Sequence, residues 1–170
     1  YGAVAAGADV CIIPEMPYKI EKIKEKIDSR YKKGKGFCII VVAEGAYSVD
    51  RKKQKESSSE IGSNNAKLGG IGNVLMKELI EAVEHDIRLT VLGHIQRGGT
   101  PIAYDRILAS EFGVKAFELV MEGRFGEMVA YRHPEIISVS FDKAISKPHL
   151  VEPKSRLVQT AMGLGIEFGN

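Results

Sequence analysis

Tryptophan is absent from this chain, cysteine occurs twice and proline six times in 170 residues. Two cysteines exclude a disulfide-stapled fold, and both lie inside apolar runs, Cys11 in residues 10–13 and Cys38 in residues 37–42, as reduced core residues of a cytoplasmic protein would. Charge of one sign is also lacking: the formal net charge is +2, so no global field argues for nucleic acid or a membrane surface. No apolar run approaches the ~18 residues of a membrane span, and no signal peptide is visible. The four histidines, His85, His94, His133 and His149, show no metal-ligand spacing. The basic run at residues 51–55 has no aromatic companions, so it reads as a solvated face rather than a nucleic-acid patch. The chain opens on Tyr1 rather than Met, which suggests that the numbering starts inside a longer gene product or after a removed segment.

What is present is a soluble-domain balance, 44% hydrophobic and 27% charged, with strand and helix patterns in alternation. Residues 10–13 form a short apolar run stopped by Pro14, as a buried strand would. Ile20, Ile23, Ile27 and Tyr31 repeat at helical spacing, and Gly34 suits that helix's end. Residues 37–42 are continuously apolar, as in a strand covered on both faces. Residues 51–66 change to Lys, Ser, Gly and Asn and predict an exposed insertion. A helix is expected through Val74, Leu75, Leu79 and Val83, then a third strand through Ile87, Leu89 and Val91. Further expectations are a helix over 104–121, with Leu108, Phe112 and Leu119 partly exposed, strands at 128–130 and 136–139, and a last helix opened by Pro153. The alternation predicts an α/β fold with a mainly parallel sheet in three layers. Gly69-Gly70-Ile71-Gly72 lacks both a preceding strand and a following Lys-Ser/Thr pair, so it reads as a helix-entry turn and not a phosphate loop.

Ligands of open α/β sheets bind beyond the carboxyl ends of the strands. Three predicted strands end in polar residues: Pro14-Glu15, Ala43-Glu44-Gly45, and the run from Gly93 through His94, Ile95, Gln96 and Arg97 to Gly98-Gly99. Arg offers a planar fork of donors to phosphate oxygens, His adds another donor, and a carboxylate accepts from sugar hydroxyls. Arg88 is expected to face away from Ile87, Leu89 and Val91. These residue types suit a phosphorylated polyol. Solvated residues at strand ends remain an equally good reading of the composition alone.

Residues 91–101, Val-Leu-Gly-His-Ile-Gln-Arg-Gly-Gly-Thr-Pro, followed by Tyr104-Asp105-Arg106, closely resemble the phosphofructokinase family. Residues 6–15 and 42–46 extend the likeness, and residues 68–72, the insertion before them and residues 164–169 resemble the longer group that mixes ATP- and pyrophosphate-dependent enzymes. The resemblance implies the sugar-phosphate-binding half of a two-domain fold, with residues 1–97 and 150–170 forming that domain and 98–149 packing on a donor-binding domain. It implies a glycolytic phosphotransferase acting on fructose 6-phosphate. Glu44, His94, Ile95, Gln96 and Arg97 would contact the sugar within one subunit. Arg88 would reach the sugar phosphate of a neighbouring subunit in a homodimer or homotetramer. Magnesium would arrive with ATP or pyrophosphate on ligands outside this chain, as would the catalytic carboxylate, so the chain alone would be inactive. The alternative is a non-catalytic sugar-phosphate-binding or regulatory module.

Overall fold

The computed structural model describes residues 1–50, 70–147 and 149–170, and of Arg97 the backbone. The expected insertion at 51–66 lies outside the described residues. The chain divides into two compact units, Tyr1–Val91 with Leu150–Asn170, and Leu92–His149.

The first unit is a mixed α/β structure around a parallel sheet. After the short helix α1 (Gly2–Ala5), strand β1 (Val10–Ile12) pairs in parallel with β2 (Ile40–Val42), in the register Val10 to Ile40, Cys11 to Val41 and Ile12 to Val42. Parallel neighbours need a long crossover, and helix α2 (Ile20–Lys32) supplies it. On the other side of β1, Cys11 N–H donates to the Glu167 carbonyl at 2.8 Å and Glu167 N–H to the Asp9 carbonyl at 2.9 Å. β1 is therefore central.

Successive residues of β1 point to opposite faces, and each face has its own core. Val10 and Ile12 meet Ile23 and Ile27 of α2 together with Ile71, Leu75 and Leu79 of α3 (Gly70–Ala82). Cys11 and Ile13 pack on the cluster of Met16, Val158, Ala161, Ile166 and Phe168, to which α6 (Arg156–Gly163) contributes two members. Helices thus cover both faces, which is the three-layer α/β arrangement. Asp9, the buried charged residue beside this core, is 7% exposed. Its Oδ1 lies 2.9 Å from Arg30 Nε, and its Oδ2 accepts from Ile39 N–H at 2.9 Å. The Arg30 Nε–H is not aimed at the carboxylate and makes no directed hydrogen bond, so the contact with Asp9 is ionic.

Three expectations need correction here. The strand expected over residues 37–42 spans only Ile40–Val42 and is not fully covered, since Phe37 and Ile39 before it are exposed at 56% and 40%. Residues 87–91 are not assigned to a strand. They keep the predicted alternation only through Thr90, with Ile87 and Leu89 half-buried and Arg88 and Thr90 exposed, while Val91 is 71% exposed; among the described residues no strand pairs with them, and a strand exists only through its ladder. The last helix begins at Arg156, capped by Ser155, whose Oγ accepts from Val158 N–H at 3.5 Å. Pro153 precedes the cap instead of opening the helix.

The second unit holds the 3-10 helix Gly93–Arg97, the long helix α4 (Ala103–Met121) and an antiparallel hairpin of β3 (Glu127–Arg132) and β4 (Glu135–Ser140), followed by α5 (Phe141–Ile145). Asp105 caps α4 by accepting from Ile102 N–H at 2.9 Å, where the positive end of the helix favours a carboxylate. Leu119 is buried, and Leu108 and Phe112 are half-buried. The three recur at helical spacing, so one face is covered at Leu119, contrary to the expectation of partial exposure there. The apolar residues left in solvent are others: Ile107, Val114 and Phe117, at 58%, 61% and 65% exposure.

Candidate functional site

In the first unit, the carboxyl ends of β1 and β2 form one rim. Ala43 N–H donates to the Ile12 carbonyl at 2.9 Å, continuing the ladder one residue past β2. The chain then turns: Ala46 N–H donates to the Ala43 carbonyl at 2.9 Å. Gly45 sits against Pro14, whose Cβ and Cγ lie 3.6 Å from where a Gly45 side chain would begin. Two carboxylates stand on this rim. Glu15 is committed to the fold, since its Oε1 accepts from Val151 N–H at 2.9 Å and its Oε2 is buried. Glu44 is exposed. Its carboxylate rests beside Gly70, the first residue of α3, with Oε1 2.7 Å from the position a Gly70 Cβ would take. Of the two, Glu44 is the one whose carboxylate is left open to solvent. The strand-end argument alone does not separate them.

Arg88 is exposed over 87% of its side chain and pairs with Asp86 at 3.1 Å. An ion pair so open to water holds its partners weakly, so the guanidinium is available to a phosphate. Arg88 and Glu44 belong to the first unit, and Leu89, next to Arg88, packs over Gly72 of α3. Residues 94–97 belong to the second unit.

The sequence places His94, Ile95, Gln96 and Arg97 beyond a strand end. In the structure they coil into the 3-10 helix Gly93–Arg97, with Ile95 N–H donating to the Leu92 carbonyl at 2.9 Å. His94, Ile95 and Gln96 are exposed. Gly99 follows with φ +99 and open space around it. The turn offers an imidazole and a side-chain amide to solvent within a few residues, the donor and acceptor chemistry a hydroxylated anion requires.

Two clefts lie within the first unit. One, of about 410 Å³, lies between β2, α2, α3 and residues 87–89, and is lined mostly by apolar side chains, among them Tyr31, Phe37, Ile40, Leu75 and Leu89. The other, of about 490 Å³, is bordered by Asp9, Lys26, Arg30 and Lys33. Two of its cations are engaged, Arg30 with Asp9 and Lys26 with the Gly165 carbonyl. The Asp9–Arg30 pair was not singled out by sequence reasoning, and nothing in the local pattern marks it. Among the described residues, no group of three or more His, Cys, Asp or Glu is placed to hold a metal ion, and no helix is long and apolar enough to cross a membrane.

The phosphofructokinase family model matches residues 1–120. ATP-dependent 6-phosphofructokinase 2 of Clostridium perfringens is 44% identical over 168 residues, covering 98% of this chain and 46% of that protein. ATP-dependent 6-phosphofructokinase 1 of Synechocystis sp. is 41% identical over 167 residues, covering 98% of this chain and 45% of that protein. The chain thus spans about half the length of the curated relatives it matches. Among solved structures, phosphofructokinase from Saccharomyces cerevisiae superposes with a TM-score of 0.58 at 27% identity, over 96% of this chain and 20% of that one. A pyrophosphate-dependent phosphofructokinase from Nitrosospira multiformis reaches 0.62 at 20% identity over 95% of this chain and 41% of that one, a likeness of fold alone.

Proposed function

From the premise that this chain belongs to the phosphofructokinase family, we propose that it is the C-terminal, sugar-phosphate-binding part of a 6-phosphofructokinase that works in the cytoplasm as a glycolytic enzyme. The observation that carries the reading is the exposed Glu44 at the end of β2, in a chain whose His94–Arg97 motif is the most specific point of family resemblance. The donor proposed is ATP, supported by the names of the relatives at 41–44% identity.

In the reaction, the 1-hydroxyl oxygen of fructose 6-phosphate forms a bond to the terminal phosphorus of ATP. The bond from that phosphorus to the bridging oxygen breaks, ADP leaves, and the hydroxyl proton passes to a carboxylate outside this chain. Such transfers depend on position and charge more than on covalent chemistry. The role of this chain is therefore positional. Glu44 accepts from sugar hydroxyls, while His94 and Arg97 take the 6-phosphate and Ile95 and Gln96 shape the turn that carries them. Arg88 reaches the 6-phosphate of a neighbouring subunit in a homodimer or homotetramer. Magnesium, bound with the donor on ligands elsewhere, supplies charge neutralisation. Residues 1–97 with 150–170 serve the sugar and 98–149 rest on the donor-binding domain.

The test is fructose 1,6-bisphosphate formation by the full-length enzyme with magnesium and either donor. Losing a charge-assisted hydrogen bond costs about 1.5–3 kcal/mol, so Arg97→Ala is expected to raise the fructose 6-phosphate KM by about 10- to 150-fold. An unchanged KM refutes the site. Turnover with pyrophosphate and not ATP refutes the donor. Sugar-phosphate binding with no turnover on either donor establishes the non-catalytic module instead.

A further inference from the structure

The Gly69-Gly70-Ile71-Gly72 run looked like a helix entry and nothing more. The structure begins α3 at Gly70, and two of these glycines lie against segments that carry proposed sugar ligands. We propose that Gly70 is a positioning residue of the sugar site: its lack of a side chain leaves the Glu44 carboxylate the place from which it meets the sugar. The inference rests on the reading of Glu44 as a sugar ligand.

A Cβ at Gly70 would stand 2.7 Å from Glu44 Oε1, 3.2 Å from Oε2 and 3.3 Å from Cδ. Carbon and oxygen atoms that are not bonded do not approach to 2.7 Å without one of them moving. The residue after Gly70 and the turn that carries Glu44 are both tied down. Ile71, next in the helix, is 1% exposed in the main core. Glu44 sits within the turn closed by Ala46 N–H and the Ala43 carbonyl. The free end of the exposed Glu44 side chain is the part that yields. A methyl group at position 70 therefore displaces the carboxylate, in addition to straining a backbone held at φ +79.

Gly72 stands in a similar relation to the neighbouring segment. A Cβ there would lie 2.9 Å from Leu89 Cδ1, and Leu89 adjoins Arg88. One turn of helix, fixed in the core by Ile71, thus sets the places of both a carboxylate and the strand-like segment bearing a guanidinium.

The plain alternative is that glycine is kept at position 70 for its backbone alone, because its φ is +79 and most residues avoid that region. Asn separates the two ideas. It tolerates positive φ far better than Ala, yet it still places a Cβ against the carboxylate.

Steady-state kinetics of the full-length enzyme decide the matter, with Gly70→Ala, Gly70→Asn, Glu44→Ala and the double variant Gly70→Ala/Glu44→Ala. Both Gly70 variants are expected to raise the fructose 6-phosphate KM about tenfold, equivalent to 1.4 kcal/mol, with kcat changed much less. In the Glu44→Ala background, Gly70→Ala should add almost nothing to KM, because residues that act through one another are non-additive. Full multiplication of the two effects, or an Asn variant that behaves as wild type, overturns the proposal. So does failure of both Gly70 variants to fold, which would make the glycine purely architectural. If Glu44→Ala alone leaves KM unchanged, the assignment of Glu44 to the sugar fails first, and it fails in a different variant from the one that tests Gly70.

Discussion

Asp9→Ala is the perturbation that tests most directly how the first unit is held together. The carboxylate has two roles: ionic contact with Arg30 at 2.9 Å and acceptance from Ile39 N–H at 2.9 Å. Removing one member of a buried pair typically costs about 3–5 kcal/mol. Arg30 keeps 23% of its side chain exposed, so water recovers part of that, and about 2–3 kcal/mol is expected for Asp9→Ala, including the stranded Ile39 amide. Asp9→Asn keeps an oxygen for that amide and should cost about 1 kcal/mol less. Arg30→Ala removes the ionic contact and the stacking of the guanidinium over Phe37 at 5.4 Å, the latter worth about 0.5–1 kcal/mol, but leaves the Ile39 bond in place. The assay is urea unfolding of the wild type, the three single variants and the double variant Asp9→Ala/Arg30→Ala, with amide exchange at Ile39 as the local probe. The reasoning is refuted if Asp9→Ala costs less than about 0.5 kcal/mol, or if Asp9→Ala and Arg30→Ala add without coupling, since paired groups must couple.

Three further outcomes follow from the structure. Burial first, and the Asp9 charge second, push the Cys38 thiol from its ordinary 9.0 up to about 11; alkylation of Cys38 should stay slow until that range, and Asp9→Ala should bring its onset to lower pH. The neutral thiol is the form the fold favours, so its contribution is intact below 9.0 and is lost as pH rises to about 11; a urea midpoint that climbs over this interval contradicts it. The exposed Ile107, Val114 and Phe117 of α4 form apolar surface of the kind that marks a contact, so the 170-residue chain should associate at micromolar concentrations in light scattering, and Ile107→Lys/Val114→Lys/Phe117→Lys should suppress it; a monomeric unmodified chain refutes this.

Much of the fold was legible because its causes are local. The spacing of Ile23 and Ile27 and the β-branched end of the apolar run, which forms β2, each follow from a pattern within a few residues. Residues 87–91 show where that reasoning ends. Their alternation correctly assigns Ile87 and Leu89 inward and Arg88 outward, but a ladder depends on a partner that no local pattern supplies. The hairpin pairing of β3 with β4 was likewise hidden, since 128–130 and 136–139 read equally well as separate strands. At the site, the residue types at Glu44, Arg88 and residues 94–97 were readable. The division of labour between Glu15 and Glu44 was not, because it depends on Val151 N–H, 136 positions away. The closeness of Gly70 to Glu44 was invisible for the same reason.

The way β1 is flanked has a consequence for how the molecule comes into being. On one side its neighbour arrives early, with β2; on the other it is Glu167, and Lys26 likewise reaches the Gly165 carbonyl across 139 positions. Contacts of such separation close large loops, which slows folding and leaves unfinished edges open meanwhile. During synthesis the first strand must wait, half-dressed, until nearly all of the remaining chain has emerged. A ribosome stalled anywhere in residues 92–149 would display Cys11 and Met16 without the Ile166 and Phe168 that cover them, a surface on which chaperones act. Joining residues 150–170 directly after residue 91 would shorten that wait and speed folding of the first unit.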